Sequence, residues 1–332
     1  MKHSFEWASV GLLIHAASGS TFLPNSDIMP VPQVSDTNST SCSNPNYFSG
    51  LQNVTIEVNG LNRTFELYVP WESGDCGPNC YVTGPPSTAR PVAMNWHGCS
   101  PHVPVLDYAE DISRFNGACK DRGWYAITPV GTRTSGGNFG WNADGIPCGS
   151  PGVDDFAFFE ALLSFAETEL CADMTRVHTA GFSTGAFLSY GIACRYPNQI
   201  FAAGTDAGGL SWPEYSTCEA GSGAVPMSSF HSYADNTVPY NGTAAWAGQE
   251  AMNDLWRTRN GCDGSEVPTT TFTSNTSNCL RWDCPGAPVE ACTLHDIDHC
   301  KYHHVHRLLC CLFPTLFCLD PDSMYDSSSS LE

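Results

Sequence analysis

Two alternating runs of apolar and polar residues, Val54-Thr-Ile-Glu-Val58 and Thr64-Phe-Glu-Leu-Tyr-Val-Pro70, flank the dipeptide Asn59-Gly60. Such runs around residues that tolerate positive φ predict a β-hairpin. Beyond it the pattern changes. Residues 91–96, 124–130, 176–182, 201–205, 227–231 and 289–294 are short, mostly apolar runs, as expected of strands buried on both faces. Between them, residues 107–119, 154–169 and 184–195 carry apolar side chains at helical spacing, clearest at Phe156, Phe159, Leu162, Leu163 and Phe165. Strands alternating with helices predict an α/β fold: a mainly parallel sheet covered by helices on both faces, preceded by the hairpin.

The two ends of the chain lack this pattern. Lys2 and His3 precede an apolar run from Trp7 to Ala17 and then Ser18-Gly19-Ser20, the layout of a secretory signal peptide over residues 1–20. A run of roughly 11 residues falls short of the about 20 needed to span a bilayer, and residues 308–319 are also short and contain Pro314. No membrane partner is therefore expected. Residues 21–50, rich in Ser, Asn, Pro and Thr, read as a leader, 51–305 as one catalytic domain and 306–332 as an atypical tail.

Composition sharpens the compartment. The chain has 17 cysteines, spread from Cys42 to Cys318, and only three lysines. Dispersed cysteines favour disulfides over zinc, since Cys76 and Cys80 lack a matching second pair. Sequons at Asn38, Asn53, Asn62, Asn241 and Asn275 agree with secretion. With 14 basic against 34 acidic residues the formal charge is −20, which repels polyanions and excludes a nucleic-acid partner. A neutral small molecule or polymer remains compatible.

In an open parallel sheet, chemistry gathers where strands end. The predicted strand 176–182 runs into Gly181-Phe-Ser183-Thr-Gly185 and then a helix, the strand–turn–helix context in which a Gly-x-Ser-x-Gly turn exposes a nucleophilic hydroxyl. A serine needs a base to take its proton and a carboxylate to orient that base, in the order Ser, acid, His for this architecture. Asp206 and Asp235 both follow strands; Asp235, one strand further out, is favoured. His295, His299, His303, His304 and His306 all follow the last strand, and His299 is the expected base. The spacing of His295, His299 and His303 would also suit zinc, but no evident further ligand completes a site. Thr184, after the nucleophile, and Cys99, in the His97-Gly98-Cys99 loop after strand 91–96, are the expected backbone oxyanion donors.

With these residues placed, the chain resembles secreted esterases of the polyhydroxybutyrate depolymerase and feruloyl esterase type, close to carbohydrate esterase family 1. The resemblance spans about residues 53–299. It rests on Arg63-Thr-Phe-Glu-Leu-Tyr-Val-Pro70, His97-Gly-Cys99, Gly152-Val-Asp-Asp155, Asp173-Met-Thr-Arg-Val-His-Thr-Ala-Gly-Phe-Ser-Thr-Gly185 and His231-Ser-Tyr-Ala-Asp-Asn-Thr-Val-Pro-Tyr240. It implies an α/β-hydrolase fold, Ser183 as nucleophile, Asp235 as acid, His299 as base, and the amides of Cys99 and Thr184 as oxyanion donors. No cofactor or metal is implied. Ser232 and Ala186 stand where the family usually has glycine, and the sequence after His299 departs from the family pattern.

The expected function is ester hydrolysis through an acyl-enzyme by a secreted monomer. Trp96, Trp141, Trp212 and Tyr240, all near predicted loops, are the expected stacking surfaces for a feruloyl ring or sugar, which favours plant cell-wall esters over hydroxybutyrate polyesters or acetylated xylan. The rival class is a hydrolase-fold binding protein that has lost catalysis; ester turnover that disappears with Ser183 discriminates the two.

Overall fold

The predicted hairpin is formed by β1 (Gly50–Val58) and β2 (Leu61–Val69), with Asn59 and Gly60 at φ of 50° and 79° in the turn. A computed structural model describes residues 47–71, 86–101, 115–143, 146 and 148–299, all within one compact unit. The expected signal peptide, most of the leader, the tail, Cys76, Cys80, His303, His304, His306 and the first part of the helix expected at 107–119 lie outside these residues.

From the hairpin the chain enters β3 (Arg90–Trp96), then α1 (Phe115–Arg122), β4 (Tyr125–Pro129) and a small separate hairpin, β5 (Thr132–Arg133) and β6 (Phe139–Gly140). There follow α2 (Asp155–Glu169), β7 (Ala172–Phe182), α3 (Thr184–Arg195), β8 (Ala202–Asp206), α4 (Trp212–Ala220) and β9 (Met227–Ser232). The last described elements are α5 (Gln249–Arg259), β10 (Thr269–Thr273), β11 (Ser277–Trp282) and β12 (Val289–Leu294). One sheet holds ten strands in the order β1-β2-β4-β3-β7-β8-β9-β12-β11-β10. The six central strands, β4 to β12 in that order, pair in parallel, and antiparallel hairpins extend both sides.

Period-two alternation decides what each face buries. Phe65, Leu67 and Val69 of β2, Val92, Met94 and Trp96 of β3, and Tyr125 and Ile127 of β4 point into the core shared with α2, α3 and α5. The intervening Tyr68, Ala93 and Ala126 pack on the other face against Phe115 and Cys119 of α1. Phe158, Phe159, Leu162 and Phe165 form the buried stripe of α2, each side chain contributing roughly 2 kcal/mol of transfer free energy. This helix starts where the Asp154 carboxylate accepts the Ala157 amide at 2.9 Å, a cap worth about 1 kcal/mol.

Disulfides close several loops. Cys99 joins Cys148, Cys194 joins Cys218 between α3 and α4, Cys262 joins Cys284, and Cys279 joins Cys292 directly across β11 and β12.

Candidate active site

Ser183, Thr184, Asp235, His299 and the loop carrying Cys99 lie beyond the carboxyl ends of β3, β7, β9 and β12, with Asp206 at the end of β8. Ser183 sits at the turn between β7 and α3 with φ of 53° and ψ of −122°, a conformation that a non-glycine residue holds only when its surroundings enforce it. Its amide donates to the Asp206 carbonyl at 2.9 Å, and its carbonyl accepts the amides of Ala186 and Phe187 at 2.9 and 3.1 Å. The two flanking glycines are required by close approach. A Cβ on Gly181 would collide with the Gly185 carbonyl, and one on Gly185 with the carbonyls of Trp96 and His97. The sharp bend aims the Ser183 hydroxyl away from the sheet, beside the amide-rich start of α3.

His299 Nε2 lies 2.9 Å from Ser183 Oγ, and its Nδ1 lies 2.7 Å from Asp235 Oδ2. Since a carboxylate only accepts, Nδ1 carries the proton and Nε2 presents its lone pair to the serine hydroxyl. Phe182 stacks on the imidazole, ring centres 5.0 Å apart. Asp235 Oδ1 in turn accepts the amides of Thr237 and Val238 at 2.9 and 2.8 Å. Burial alone would raise this carboxyl, but the imidazoles of His231 and His299 and the Val238 amide outweigh it and hold it well below the usual carboxylate range.

The alternative acid, Asp206, is fully buried at the end of β8. Burial, and then the charge on Asp235, raise its carboxyl well above the usual range, which favours the neutral acid, and His299 turns to Asp235 instead. His295 is exposed and lies against Tyr233, with ring centres 5.9 Å apart. Residues 295–298 form no helix, so the spacing that would suit zinc does not place His295 and His299 on one helical face.

The loop after β3 passes beside Ser183: a Cβ on Gly98 would lie 3.1 Å from Ser183 Cβ. Three anchors fix this loop. His97 Nδ1–H donates to the Gly98 carbonyl at 2.6 Å while Nε2 accepts the Gly131 amide at 2.9 Å. Burial drives this imidazole down to about 4, only partly offset by its bond to Gly98, so it remains neutral. Trp141 Nε1 donates to the His97 carbonyl at 2.7 Å, and the Cys99–Cys148 disulfide ties the loop to the segment after β6. The amides of Cys99 and Thr184 thus belong to two segments that meet at Ser183.

The expected stacking surfaces fare differently. Trp96 and Trp141 are both completely buried, packed edge to face 5.1 Å apart, and Trp96 Nε1 donates to Thr179. Tyr240 is buried too, its hydroxyl donating to Glu250 at 2.5 Å. None of the three offers a face to a ligand, because each is spent on the core or on a loop anchor. Trp212 alone of the four is substantially open, at 41%. Two residues beside the relay carry no motif of their own. Tyr233, 57% exposed, stands two residues before Asp235. Asp298 Oδ1 accepts the amides of both His299 and Asn236, at 2.8 and 3.3 Å, and so fastens the loop carrying the imidazole to the loop carrying the carboxylate. An acid adjoining the expected base was the available signal for it.

A mainly parallel sheet with a strained serine turn after its central strand, a histidine after its last parallel strand and a carboxylate between them defines the α/β-hydrolase fold. Solved structures agree on the fold. The acetyl xylan esterase from Aspergillus awamori superposes with a TM-score of 0.57 at 17% identity, covering 76% of this chain and 94% of that one. An S-formylglutathione hydrolase from Agrobacterium tumefaciens gives 0.51 at 13% identity, covering 80% and 96%. No protein-family model matches the chain. By sequence it is similar to the "Probable feruloyl esterase C" of Aspergillus clavatus, 28% identical over 150 residues, 43% of this chain and 49% of the relative. It is also similar to the feruloyl esterase D of Neurospora crassa, 25% identical over 195 residues, 56% and 58% of the two chains. The chain spans about half the length of the curated relatives it matches.

Proposed function

We propose that the protein is a serine carboxylesterase that works through an acyl-enzyme and acts on feruloyl esters of the plant cell wall. The observation that carries the proposal is the continuous relay Ser183–His299–Asp235, with contacts of 2.9 and 2.7 Å, on a sharp turn that brings the serine hydroxyl to the imidazole. In this mechanism His299 Nε2 takes the hydroxyl proton as Ser183 Oγ attacks the ester carbon. The Cys99 and Thr184 amides stabilise the oxyanion, a contribution of about 10²–10³ in rate for a single donor. His299 then returns the proton to the leaving alcohol, and a water deprotonated by the same nitrogen hydrolyses the acyl-serine. Asp235 stays ionised throughout and stabilises the transient imidazolium.

The substrate class is supported by the likeness to proteins named feruloyl esterases and by the open ring of Trp212 at the start of α4, directly after the loop that leaves β8. An extracellular setting is part of the same proposal. Four disulfides between described residues support it, and so do sequon asparagines Asn53, Asn62, Asn241 and Asn275, which are all exposed. Initial rates on methyl ferulate, acetylated xylan and hydroxybutyrate oligomers, each repeated with Ser183→Ala, test both levels. The proposal expects methyl ferulate to be fastest and every rate to vanish in the variant. A preference for the oligomers would overturn the substrate and keep the mechanism.

A further inference from the structure

The geometry points to a second histidine, His231, as a positioning residue that holds Asp235 in register with His299; this rests on the esterase mechanism proposed above. His231 lies near the end of β9, 1% exposed, four residues before the acid. Its Nε2 is 2.7 Å from the Val238 carbonyl, so that nitrogen carries a proton. The same nitrogen lies 3.6 Å from Asp235 Oδ2, the oxygen that accepts His299 Nδ1–H, too far for a hydrogen bond of its own. Val238, whose carbonyl His231 holds, donates its own amide to Asp235 Oδ1 at 2.8 Å. Val238 therefore links the imidazole to the acid, its carbonyl held by His231 and its amide given to the carboxylate.

The far side of the imidazole packs against α5. Nδ1 sits 3.2 Å from Gln249 Oε1 at the start of α5, and Gln249 Nε2 is 2.8 Å from both Ser229 Oγ and Asn253 Oδ1. Tyr240 meets the ring edge to face, with centres 5.6 Å apart. A polar chain thus runs from α5 through His231 to the acid, and every residue of it is buried. Placing an imidazole in such a site costs desolvation that a leucine or phenylalanine would avoid, and its hydrogen bonds only offset that cost. What the imidazole adds, and a hydrocarbon would not, is a hydrogen bond to Val238 that fixes the orientation of the Asp235 turn.

His231→Phe keeps the ring volume and removes both nitrogens; His231→Gln returns an amide nitrogen near the place of Nε2. With rates normalised to sites titrated by a fluorophosphonate, the expectation for His231→Phe is a loss in kcat on the order of tenfold or more with KM within about twofold, because orientation of the relay matters only as charge develops. His231→Gln should recover most of that loss. The low-field proton resonance of the His299–Asp235 hydrogen bond, recorded without substrate, should shift or broaden in His231→Phe and return toward the wild-type position in His231→Gln. A phenylalanine variant with wild-type kcat per titrated site and an unmoved resonance would overturn the proposal, as would a glutamine variant no better than phenylalanine. Should the phenylalanine variant not fold, the glutamine and His231→Asn variants decide by the same resonance. Absence of ester turnover in the wild type would count against the esterase mechanism alone, and the resonance would still test the role of His231.

Discussion

Asp155→Asn should destabilise the protein and slow it at once, although Asp155 is not part of the relay. The Arg63 guanidinium of β2 reaches across 92 residues of sequence to Asp155 Oδ1 at 2.6 Å, lies 4.0 Å from the Phe158 ring centre, and is 3% exposed against 0% for its partner. Asp155 Oδ2 accepts the Asn142 amide at 2.6 Å, next to Trp141, whose indole holds the His97 carbonyl. Asparagine supplies one acceptor where two are needed and leaves the arginine charge buried without a counter-charge. Breaking a buried pair in this way costs about 3–5 kcal/mol. Removing the arginine as well, in Arg63→Met with Asp155→Asn, eliminates the stranded charge and leaves the amide oxygen free to accept from Asn142, so the double variant should lose only about 1–2 kcal/mol. Guanidinium chloride unfolding midpoints with disulfides intact measure this difference. Loosening Asn142 should also relax the loop after β3, so turnover per titrated site should fall severalfold in the single variant. A cost below about 1 kcal/mol for Asp155→Asn, or a double variant worse than the single, would refute the reasoning.

Asp235→Asn should lower kcat by about 10⁴, and His299→Ala by about a thousandfold or more, while His295→Ala stays within about tenfold, since its ring is exposed outside the relay; esterase assays on purified variants check this. Glu290 of β12 is raised by burial to about 7, the bond from Thr271 and the charge of Arg281 only partly opposing. Its folded-state value exceeds the unfolded one. Stability from this group is therefore full below about pH 4.5 and falls as the unfolded chain ionises first, by up to about 3 kcal/mol once pH passes 7. Glu290→Gln, which keeps an acceptor for Thr271, should be more stable than the wild type at pH 8 and equal to it at pH 4, as read from unfolding midpoints at the two pH values.

The sequence made the central sheet legible because its strands are buried on both faces and bounded by helices with a clear apolar stripe. Asn59-Gly60 fixed the hairpin for a local reason, the positive φ that both residues adopt. Elements held by other means were less visible. β10 is Thr-rich and largely exposed, and β11 follows it round a short turn whose pairing depends on β12 and on the Cys279–Cys292 bridge. α4 buries only Glu214 and Cys218, so no apolar stripe marks it, and it starts at the Ser211 cap and Pro213. At the site, the convergence of Ser183, Asp235 and His299 was readable from motif, order and resemblance, whereas the burial of Trp96, Trp141 and Tyr240 was not. Proximity to a loop does not reveal whether an indole faces solvent or, like Trp141, turns inward to hold the backbone. Likewise, Arg63 and Asp155 stood out in separate motifs, but only the fold brings them into one buried pair.

Ser183 as the nucleophile is the centre of the proposed mechanism. Reaction of the wild-type protein with a fluorophosphonate, followed by peptide mass mapping, should place a single adduct on Ser183, with methyl ferulate turnover disappearing in proportion to labelling. Ser183→Ala should take up no label and show no turnover while keeping the wild-type unfolding midpoint. An adduct on another residue, or undiminished turnover in folded Ser183→Ala, would contradict it.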